Sequence, residues 1–406
     1  MKILYISHSD LLGQQFNGYA ILPELHKLGH DAFMAVDIKK DQANPYIHEI
    51  GSGRIRKINN YITGFEAKLG SRSILPIQSL ELFKHKWYLE ADIVHLQLLH
   101  ATRYFSLLQV QRMTKEKKVV WTMHDPWLTT GHCIYSLDCN GWMNRCNKCP
   151  YLELAFPIPR DTAWLNWRVK NYIMSQIHDI NLIVASSYME NLIKTSEITS
   201  HLPVTKIPFG IDTTKFYPQK KEAARKKLGL PLDSKIISFR SAPYSPFKGT
   251  TNIEEALTTV ASKQPILLAT IDATGGLEKL RGRFPVYETG WTDDPDRIST
   301  LLSASDIFLM PSVAEAFGLM ALEAMACGTP LIVFEGTALP EVIGDAGVVV
   351  PMRDSNALAN AIEQLLQDDD LRIHLSKNAL SRIRDHFTLR QFIDNHLKFY
   401  EAILHQ

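Results

Sequence analysis

The sequence predicts an α/β protein with two Rossmann-like domains, each a doubly wound parallel sheet, facing each other across a cleft. Short apolar strands alternate with helical patterns along both halves of the chain, and this alternation is typical of parallel sheets covered by helices. The chain has 406 residues, which is too long for one compact core. A segment rich in proline and glycine at 203–218 predicts the linker between the halves.

The first half starts with a β-α-β pattern. A helical stretch at 20–29 ends in glycine and connects two apolar runs. Apolar runs bounded by polar turns are typical of buried strands in parallel sheets. In this half they predict strands at 1–7, 30–36, 92–98, 118–124 and 181–185.

The second half repeats this rhythm and completes the domain assignment. Its apolar runs predict strands at 235–239, 265–269, 286–288, 306–310 and 330–334. We therefore expect an N-terminal domain at 1–202, with a cysteine-rich insert at 131–150, and a second domain at 203–385. The last segment, 386–406, has apolar residues at helical spacing and predicts an amphipathic packing helix.

Composition narrows the class of protein. Hydrophobic residues make up 45% of the chain and charged residues 21%, which is typical of a soluble globular protein. The 44 basic side chains balance 43 acidic ones, so no overall field attracts nucleic acid. The first residues lack a cationic, apolar leader, and no run of 18 apolar residues occurs. We therefore expect a cytoplasmic protein.

The most informative stretch, at 310–344, reads MPSVAEAFGLMALEAMACGTPLIVFEGTALPEVIG. It predicts a strand, a loop carrying Glu315, and a helix that begins near Gly318 and contains Glu323. The first amides of a helix are unpaired and lie at the positive end of its dipole, and a glycine there lets an anion approach closely. Two carboxylates beside such a site suit a nucleotide sugar, which has hydroxyls on both sides of a diphosphate. The alternative is that both glutamates are solvated helix charges, although Glu323 stands among apolar residues.

This stretch resembles the signature of the retaining glycosyltransferases of family four, in which two glutamates are separated by seven residues. Glu315 and Glu323 stand at those positions, and GTALPEVIGDAGVVVP is similar to the next stretch of the family. The resemblance implies the GT-B fold. It also implies that Glu315 contacts hydroxyls of the donor sugar, that Glu323 holds the ribose, and that the backbone at Phe317, Gly318 and Leu319 meets sugar and phosphates.

Cations follow the predicted strand at 235–239, in the loop RSAPYSPFKG. Arg240 and Lys248 could bind a diphosphate there, or they could be ordinary surface charges. The resemblance implies that they neutralise the leaving nucleoside diphosphate without a catalytic metal. Their spacing of eight is longer than is usual in the family, which makes Lys248 the firmer match. Trp291 stands where the family cradles the nucleobase, and the helix at 386–406 is expected to cross back to the N-terminal domain.

Two positions of the first half also match the family. Gly18, in the loop after the first strand, is expected to allow close approach of the diphosphate and the acceptor. His124, at the tip of the strand at 118–124, is expected to contact the donor sugar, so that the catalytic set is Glu315, His124 and Lys248. His95 lies within a predicted strand and is expected to be a core residue with its hydrogen bonds satisfied.

Four of the five cysteines cluster within 17 residues, namely Cys133, Cys139, Cys146 and Cys149. The last two form a CxxC pair, a common half-site for structural zinc. In a reducing cytosol such a cluster either binds a metal or stays reduced and packs the loop, and disulfide or redox chemistry is a third alternative. His132 could replace one ligand.

The sequence thus predicts a retaining glycosyltransferase. It would move a hexose-type sugar from a UDP- or GDP-sugar to a glycan or lipid-linked glycan acceptor in surface polysaccharide synthesis. The alternatives are a GT-B-type sugar-nucleotide epimerase, which needs further acid and base carboxylates and no acceptor, and a non-catalytic glycan- or nucleotide-binding subunit. The intact set of Glu315, Glu323 and Lys248 argues against the second.

A peripheral contact with the inner face of the membrane is a further hypothesis. The stretch AWLNWRVKNYI places Trp164, Trp167 and Arg168 on neighbouring faces of a helix, as in helices that lie in the membrane interface. The alternative is a solvated face over which cationic side chains extend their apolar stems.

Overall fold

The computed structural model of the protein describes residues 1–51, 53–99, 103–154, 156–272, 274–275 and 277–405. Two compact units are formed. The first contains residues 1–207 together with 393–406, and the second contains residues 208–392. Each unit has its own parallel sheet, with helices between successive strands.

The strands of the first unit are β1 Lys2–Ser9, β2 Asp31–Ile38, β3 Ile47–Glu49, β4 Ile93–Leu96, β5 Lys118–Thr122, β6 Ile180–Val184 and β7 Val204–Lys206. Its helices are α1 Leu22–Lys27, α2 Gly53–Lys68, α3 Lys86–Glu90, α4 Leu107–Glu116, α5 Ala163–Ser175 and α6 Ser187–Thr195. Helix α15, Leu389–Leu404, starts in the second unit, and residues from 393 onward belong to the first.

The strands of the second unit are β8 Lys235–Ser241, β9 Ile266–Asp272, β10 Val286–Glu288, β11 Ile307–Met310, β12 Leu331–Phe334 and β13 Gly347–Val350. Its helices are α7 Lys221–Leu228, α8 Thr250–Thr259, α9 Glu278–Arg281, α10 Pro295–Ala304, α11 Leu319–Ala326, α12 Leu339–Ile343, α13 Ser355–Gln367 and α14 Asp369–His386.

The first sheet has the strand order β3-β2-β1-β4-β5-β6-β7, and its paired strands are parallel. Ile3 is in register with Ala32 on one side and with Ile93 on the other. The order therefore reverses between β1 and β4. In open parallel sheets, ligands bind beyond the carboxyl ends of the strands at such a reversal.

The second sheet repeats this plan with the order β10-β9-β8-β11-β12-β13, and its paired strands are also parallel. Here the order reverses between β8 and β11, where Ile237 is in register with Ile307. Both strands are almost entirely buried, which explains why each appears in the sequence as a nearly continuous apolar run. The predicted α/β class with two doubly wound parallel sheets is confirmed.

Three strands were not predicted from the sequence, namely β3, β7 and β13. Strands β3 and β7 have three residues each, and most of their side chains are at least partly exposed. Neither therefore produces the long apolar run that marked the other strands. Strand β7 lies inside the segment at 203–218 that was predicted as a linker. The predicted helix at 20–29 is shorter than expected, because residues 19–21 form a 3-10 turn before α1.

His95 lies in the core of the first unit, as predicted. Its ring is fully buried, and its two nitrogens lie 2.5 Å from the Tyr400 hydroxyl and 2.7 Å from the Thr122 hydroxyl. Burial lowers the pKa of His95 well below its usual value, so the ring is neutral. Tyr400 also lies 3.1 Å from the hydroxyl of Tyr5, and the last turns of α15 are thereby tied to β1 and β4.

Among the described residues, no helix combines the length and the apolar character that a membrane span requires.

Candidate functional site

The loops after β8 and β11 meet where the strand order of the second sheet reverses. Lys248, in the first loop, places its Nζ atom 2.8 Å from the Oε2 atom of Glu315, in the second. The two side chains are 24% and 13% exposed, so the pair is only partly open to solvent. An ion pair of this kind keeps a cation and a carboxylate oriented at the carboxyl edge of the sheet, where ligands of this fold class bind.

Backbone contacts hold the two loops against each other. The amide of Val313 donates to the carbonyl oxygen of Phe247 at 2.9 Å. Gly249 has φ 69°, and a β-carbon at this position would overlap the carbonyl oxygen of Pro311. Only glycine fits this contact. The glycine after Lys248 therefore allows the close packing that brings Lys248 to Glu315.

Helix α11 begins directly after this pair. Its capping residue, Gly318, has φ 103° and contributes no side-chain hydrogen bond to the helix start. A β-carbon on Gly318 would come within 2.5 Å of the Leu339 side chain. The start of α11 thus combines the positive end of a helix dipole with bare backbone, which is the arrangement that binds phosphate in many proteins.

The remaining residues of the signature are buried around α11. Glu323 is 5% exposed and Phe317 is 4% exposed. The ring of Phe317 packs edge-on against Phe209, at 5.2 Å between centroids, and against Phe387 at 5.9 Å. The Phe317 ring is therefore part of the core packing of this unit. The alternative that both glutamates are solvated charges is wrong, since Glu323 is buried and Glu315 is paired with Lys248.

Arg240 has a partner that sequence reasoning missed. Its Nε and a terminal nitrogen both lie 2.7 Å from one oxygen of Asp272, at the end of the neighbouring strand β9. Asp272 has φ 88°, an uncommon conformation for a residue with a side chain. Its amide donates to the carbonyl oxygen of Gly290 at 3.2 Å, and the adjacent Trp291 is 72% exposed. Arg240 is thus oriented by Asp272, and Trp291 is accessible.

In the first unit, the loop after β1 is folded around Asp10. This buried carboxylate accepts hydrogen bonds from the amides of Leu11, Lys40 and Asp41. Burial alone would raise the pKa of Asp10, but these amides outweigh it and lower the pKa below its usual value. The loop brings Gly18, with φ 101°, against Tyr5, whose ring a β-carbon would approach to 2.6 Å. Gly18 is therefore required for packing.

His124 follows β5 in the same unit. Its Nε2 atom lies 2.7 Å from the side-chain oxygen of Gln97, which follows β4. Its ring packs on Phe16 of the β1 loop, with 4.8 Å between the ring centroids. Gln97 and Phe16 were not singled out from the sequence, because only the strand order shows that the loops after β1, β4 and β5 are neighbours.

The proposed interfacial pair on α5 is not present as predicted. Trp167 is 2% exposed, and its indole nitrogen donates to the carbonyl oxygen of Trp142 at 3.2 Å. It is a core residue rather than a membrane anchor. Trp164 remains exposed, with the Arg168 guanidinium 5.3 Å from its ring centroid.

The second unit also carries a family profile. The profile described as "Glycosyl transferases group 1" matches residues 220–382, which include Lys248, Glu315, Gly318 and Glu323. This segment is therefore similar to the group 1 glycosyl transferases, and the fold of the chain is of the GT-B type. The GT-B architecture agrees with the two doubly wound sheets, and the matched segment contains the whole second sheet.

Curated relatives match part of the chain. A D-inositol 3-phosphate glycosyltransferase from Corynebacterium jeikeium is 25% identical over 287 residues, which are 65% of this chain and 65% of that protein. The match thus spans just under two thirds of that relative's length, and about half or less of others that carry the same name.

Solved GT-B structures match the whole chain in fold. A sucrose-phosphate synthase from Thermosynechococcus elongatus superposes with a TM-score of 0.70 and 21% identity, covering 99% of this chain and 98% of that one. Anabaena HepE, solved in complex with UDP-glucose, gives a TM-score of 0.68 and 16% identity, with 99% and 100% covered. At these identities the likeness establishes the fold alone.

Proposed function

We propose that this protein is a retaining glycosyltransferase that moves a hexose-type sugar from a UDP- or GDP-sugar to a glycan or lipid-linked glycan acceptor in surface polysaccharide synthesis. The observation that carries the proposal is the pair of Lys248 and Glu315 beside the start of α11. A cation for a diphosphate, a carboxylate for sugar hydroxyls and bare helix amides are the groups that a nucleotide sugar requires.

In the proposed reaction, the diphosphate lies at the helix start near Gly318. Lys248 and Arg240 stabilise the negative charge that develops on the leaving nucleoside diphosphate, so that no catalytic metal is needed. Glu315 and His124 hold the donor sugar, and Glu323 binds the ribose. The anomeric carbon becomes oxocarbenium-like, and the acceptor hydroxyl attacks from the face that the diphosphate leaves. The leaving phosphate oxygen takes the acceptor's proton, and the configuration is retained.

The UDP-glucose complex of Anabaena HepE supports this class of donor, since that protein has the same fold. The D-inositol 3-phosphate glycosyltransferases among the relatives are named for a different acceptor.

An exposed apolar stripe on α2 supports a lipid-linked acceptor. Tyr61 is 83% exposed, and it shares one face of the helix with the exposed side chains of Ile58 and Phe65, while exposed Leu69 follows directly after the last residue of the helix. Three exposed cations lie on the same segment, namely Arg54, Lys57 and Lys68. Apolar and cationic side chains combined on one exposed helix are typical of helices that lie on anionic membranes.

A basic cavity begins at the end of this helix. It has a volume of about 600 Å³ and is lined by Lys68, Arg72 and Arg160 together with Glu153 and four smaller residues. Three cations around one cavity suit the phosphate groups of a lipid carrier. The position of the cavity next to the stripe is consistent with a lipid lying in the membrane while its headgroup enters the protein.

A thermal-shift series tests the donor assignment. UDP, GDP and their glucose and mannose conjugates are compared at 100 times their Kd, where a ligand adds about 2.7 kcal/mol of stability. For a unit of about 200 residues this raises Tm by roughly 5–10 °C. We expect one base to stabilise the protein and ADP to have no effect. The absence of a shift with every UDP and GDP compound would contradict the proposal.

Product analysis separates transfer from epimerisation. With donor alone, a glycosyltransferase leaves the sugar configuration of the donor unchanged, apart from slow hydrolysis. With a lipid-phosphate or glycan acceptor added, the sugar appears on the acceptor with the anomeric configuration of the donor. An epimerised sugar nucleotide in the first reaction would favour the alternative enzyme class.

Co-sedimentation with vesicles tests the α2 stripe. We expect the double variant Tyr61→Ser and Phe65→Ser to lose about 10-fold or more of its binding to vesicles with 30% anionic lipid, because two aromatic side chains no longer enter the interface. Ile373→Ser is the control, since Ile373 is an exposed apolar residue on a different helix, α14. Equal binding of both variants would remove the stripe from the proposal.

A further inference from the structure

The cysteine-rich insert surrounds a small enclosed cavity. The residues that line it include His132 and all four clustered cysteines, Cys133, Cys139, Cys146 and Cys149. The cavity has a volume of about 20 Å³, which is room for a single water-sized species. All four cysteines are free thiols in the structure.

Hydrogen-bond donors point at the sulfur atoms from the rim of this cavity. The amide of Gly131 donates to Cys146 Sγ at 3.1 Å, and the amide of Gly141 donates to Cys139 Sγ at 3.3 Å. The Nε2 atom of His132 lies 3.4 Å from Cys149 Sγ. Neutral thiols are weak acceptors, whereas thiolates are strong ones. Two sulfurs that each accept from a backbone N–H, and a third that lies beside the His132 ring, are thus arranged to carry negative charge.

A buried cation lies beside the cluster. Lys170 on α5 is 2% exposed, and its ammonium group donates to the carbonyl oxygens of Trp127 and Thr130 at 2.7 and 2.9 Å. Lys170 also lines a small cavity together with Gly131 and His132 of the cysteine-rich insert. Burying an ammonium group is costly unless negative charge lies nearby. Thiolates held by a divalent metal would supply that charge.

From these observations we propose that the insert binds one Zn²⁺ ion through the thiolates of Cys133, Cys139, Cys146 and Cys149, with Lys170 as the buried counter-charge. Four thiolates and one Zn²⁺ carry a net charge of −2, which the ammonium group and the rim N–H donors partly offset. Tetrahedral coordination by four sulfurs is a common structural zinc site. His132 then serves as a donor to the Cys149 thiolate rather than as a ligand.

Within the described residues, no group of three or more His, Cys, Asp and Glu side chains already gathers its donor atoms around one point. Zinc is therefore expected to draw the four sulfurs inward across the cavity. The segment needs a cross-link of this kind, because its described residues between Thr129 and Ala163 contain one short 3-10 helix and neither an α-helix nor a strand. Metal binding would order this segment without a core of its own.

Metal analysis of the full-length, reduced protein tests the site. We expect about one zinc per chain in the wild type and in Cys327→Ser, which removes a buried thiol of the second unit, and less than about 0.1 in Cys146→Ser. His132→Asn should retain its zinc, since it removes a donor and not a ligand. Zinc-free wild-type protein from zinc-supplemented medium would overturn the proposal, as would loss of zinc in Cys327→Ser.

Two measurements on the wild type avoid dependence on variants that fail to fold. Co²⁺ substitution should give the intense near-ultraviolet thiolate band and the visible bands of a tetrahedral site. Titration with a thiol reagent should release one zinc as four of the five thiols react. Fewer than five titratable thiols in denaturant would indicate disulfides and contradict the site. These readouts do not involve sugar transfer, so they stand apart from the proposed enzymatic function.

Discussion

Replacing Lys248 with alanine is expected to lower kcat about 10²–10³-fold, the loss typical of removing one charged group that stabilises a developing anion. Its ammonium group is oriented by Glu315 at 2.8 Å, beside the start of α11. Without it, the leaving diphosphate loses a fixed cation in a site that is largely closed to solvent. Steady-state kinetics with the stabilising donor measures the effect, and the thermal shift by UDP or GDP should shrink in parallel.

The control is Lys263→Ala. Lys263 is exposed in the turn between α8 and β9, at the opposite edge of the second sheet from Lys248. Its removal should leave kcat within about twofold, because an exposed charge at that distance is screened. Equal losses in both variants would show that Lys248 acts through overall charge, and unchanged turnover in Lys248→Ala would remove it from the site.

Glu315→Gln separates the two members of the pair. The amide keeps the shape of the carboxylate and loses its charge, so the diphosphate contact through Lys248 should persist while sugar binding weakens. We expect the thermal shift by free UDP or GDP to be retained and turnover to fall. If the variant instead loses nucleoside diphosphate binding, Glu315 acts by positioning Lys248 and makes no separate contact with the sugar.

The fold could be predicted from the sequence because each buried parallel strand leaves a continuous apolar run. The strands at 286–288 and 330–334 were placed within one residue of their observed bounds. The loop residues Lys248 and Glu315 were found for a related reason, since both lie in loops that follow such runs. Their contact also depends on β8 and β11 being neighbours, which is a property of the sheet order.

The partners of the candidate site residues were missed because they also depend on the order of the strands in the sheet. Asp272, which orients Arg240, looks like an ordinary strand-end acid until β9 is known to lie beside β8. Gln97, which holds His124, likewise depends on the pairing of β4 with β5. Residues that act through a partner far away in the chain carry no local pattern. The sequence therefore indicates the ends of strands well and their cross-strand contacts poorly.

The wrong assignment of Trp167 has a different cause. A mixture of aromatic and cationic residues is found in helices that lie in the membrane interface, and it is also found in packed helices whose cations are buried. Lys170 is such a cation, because it lies over the Trp127 ring at 3.6 Å and is fully buried. Composition cannot separate the two cases, whereas the stripe on α2 is exposed along one face.

The largest expected effect on stability comes from Asp306→Ala in the second unit. The Asp306 carboxylate is buried, and it accepts from Lys221 and Arg225, each at 2.8 Å, and from the amide of Ile236 at 2.7 Å. Its removal leaves the buried guanidinium of Arg225 without its anionic partner. Breaking a buried ion pair in this way costs about 3–5 kcal/mol. Hydrogen exchange of the β8 amides measures the free energy of unfolding of this unit without assuming that the whole chain unfolds in one step.

A matched exposed pair provides the control. Asp296 and Lys227 lie 2.6 Å apart, with both side chains more than half exposed. Asp296→Ala should therefore have a much smaller effect on stability, since water screens the pair and already solvates both charges. Similar losses of stability in the two aspartate variants would mean that burial does not determine how much the Asp306 network contributes to the free energy of unfolding.

The loss of stability at acidic pH gives a second test of the role of Asp306. Burial alone would raise its pKa, but Lys221, Arg225 and the Ile236 amide outweigh burial and hold the pKa below its usual value. The carboxylate thus contributes stability that is fully present above its unfolded pKa of about 3.9 and is lost as pH falls through the lower folded value. We expect Asp306→Asn to start less stable at neutral pH and to lose less stability than the wild type below about pH 4. Parallel acid profiles for the two proteins would show that Asp306 does not keep its charge through these cations.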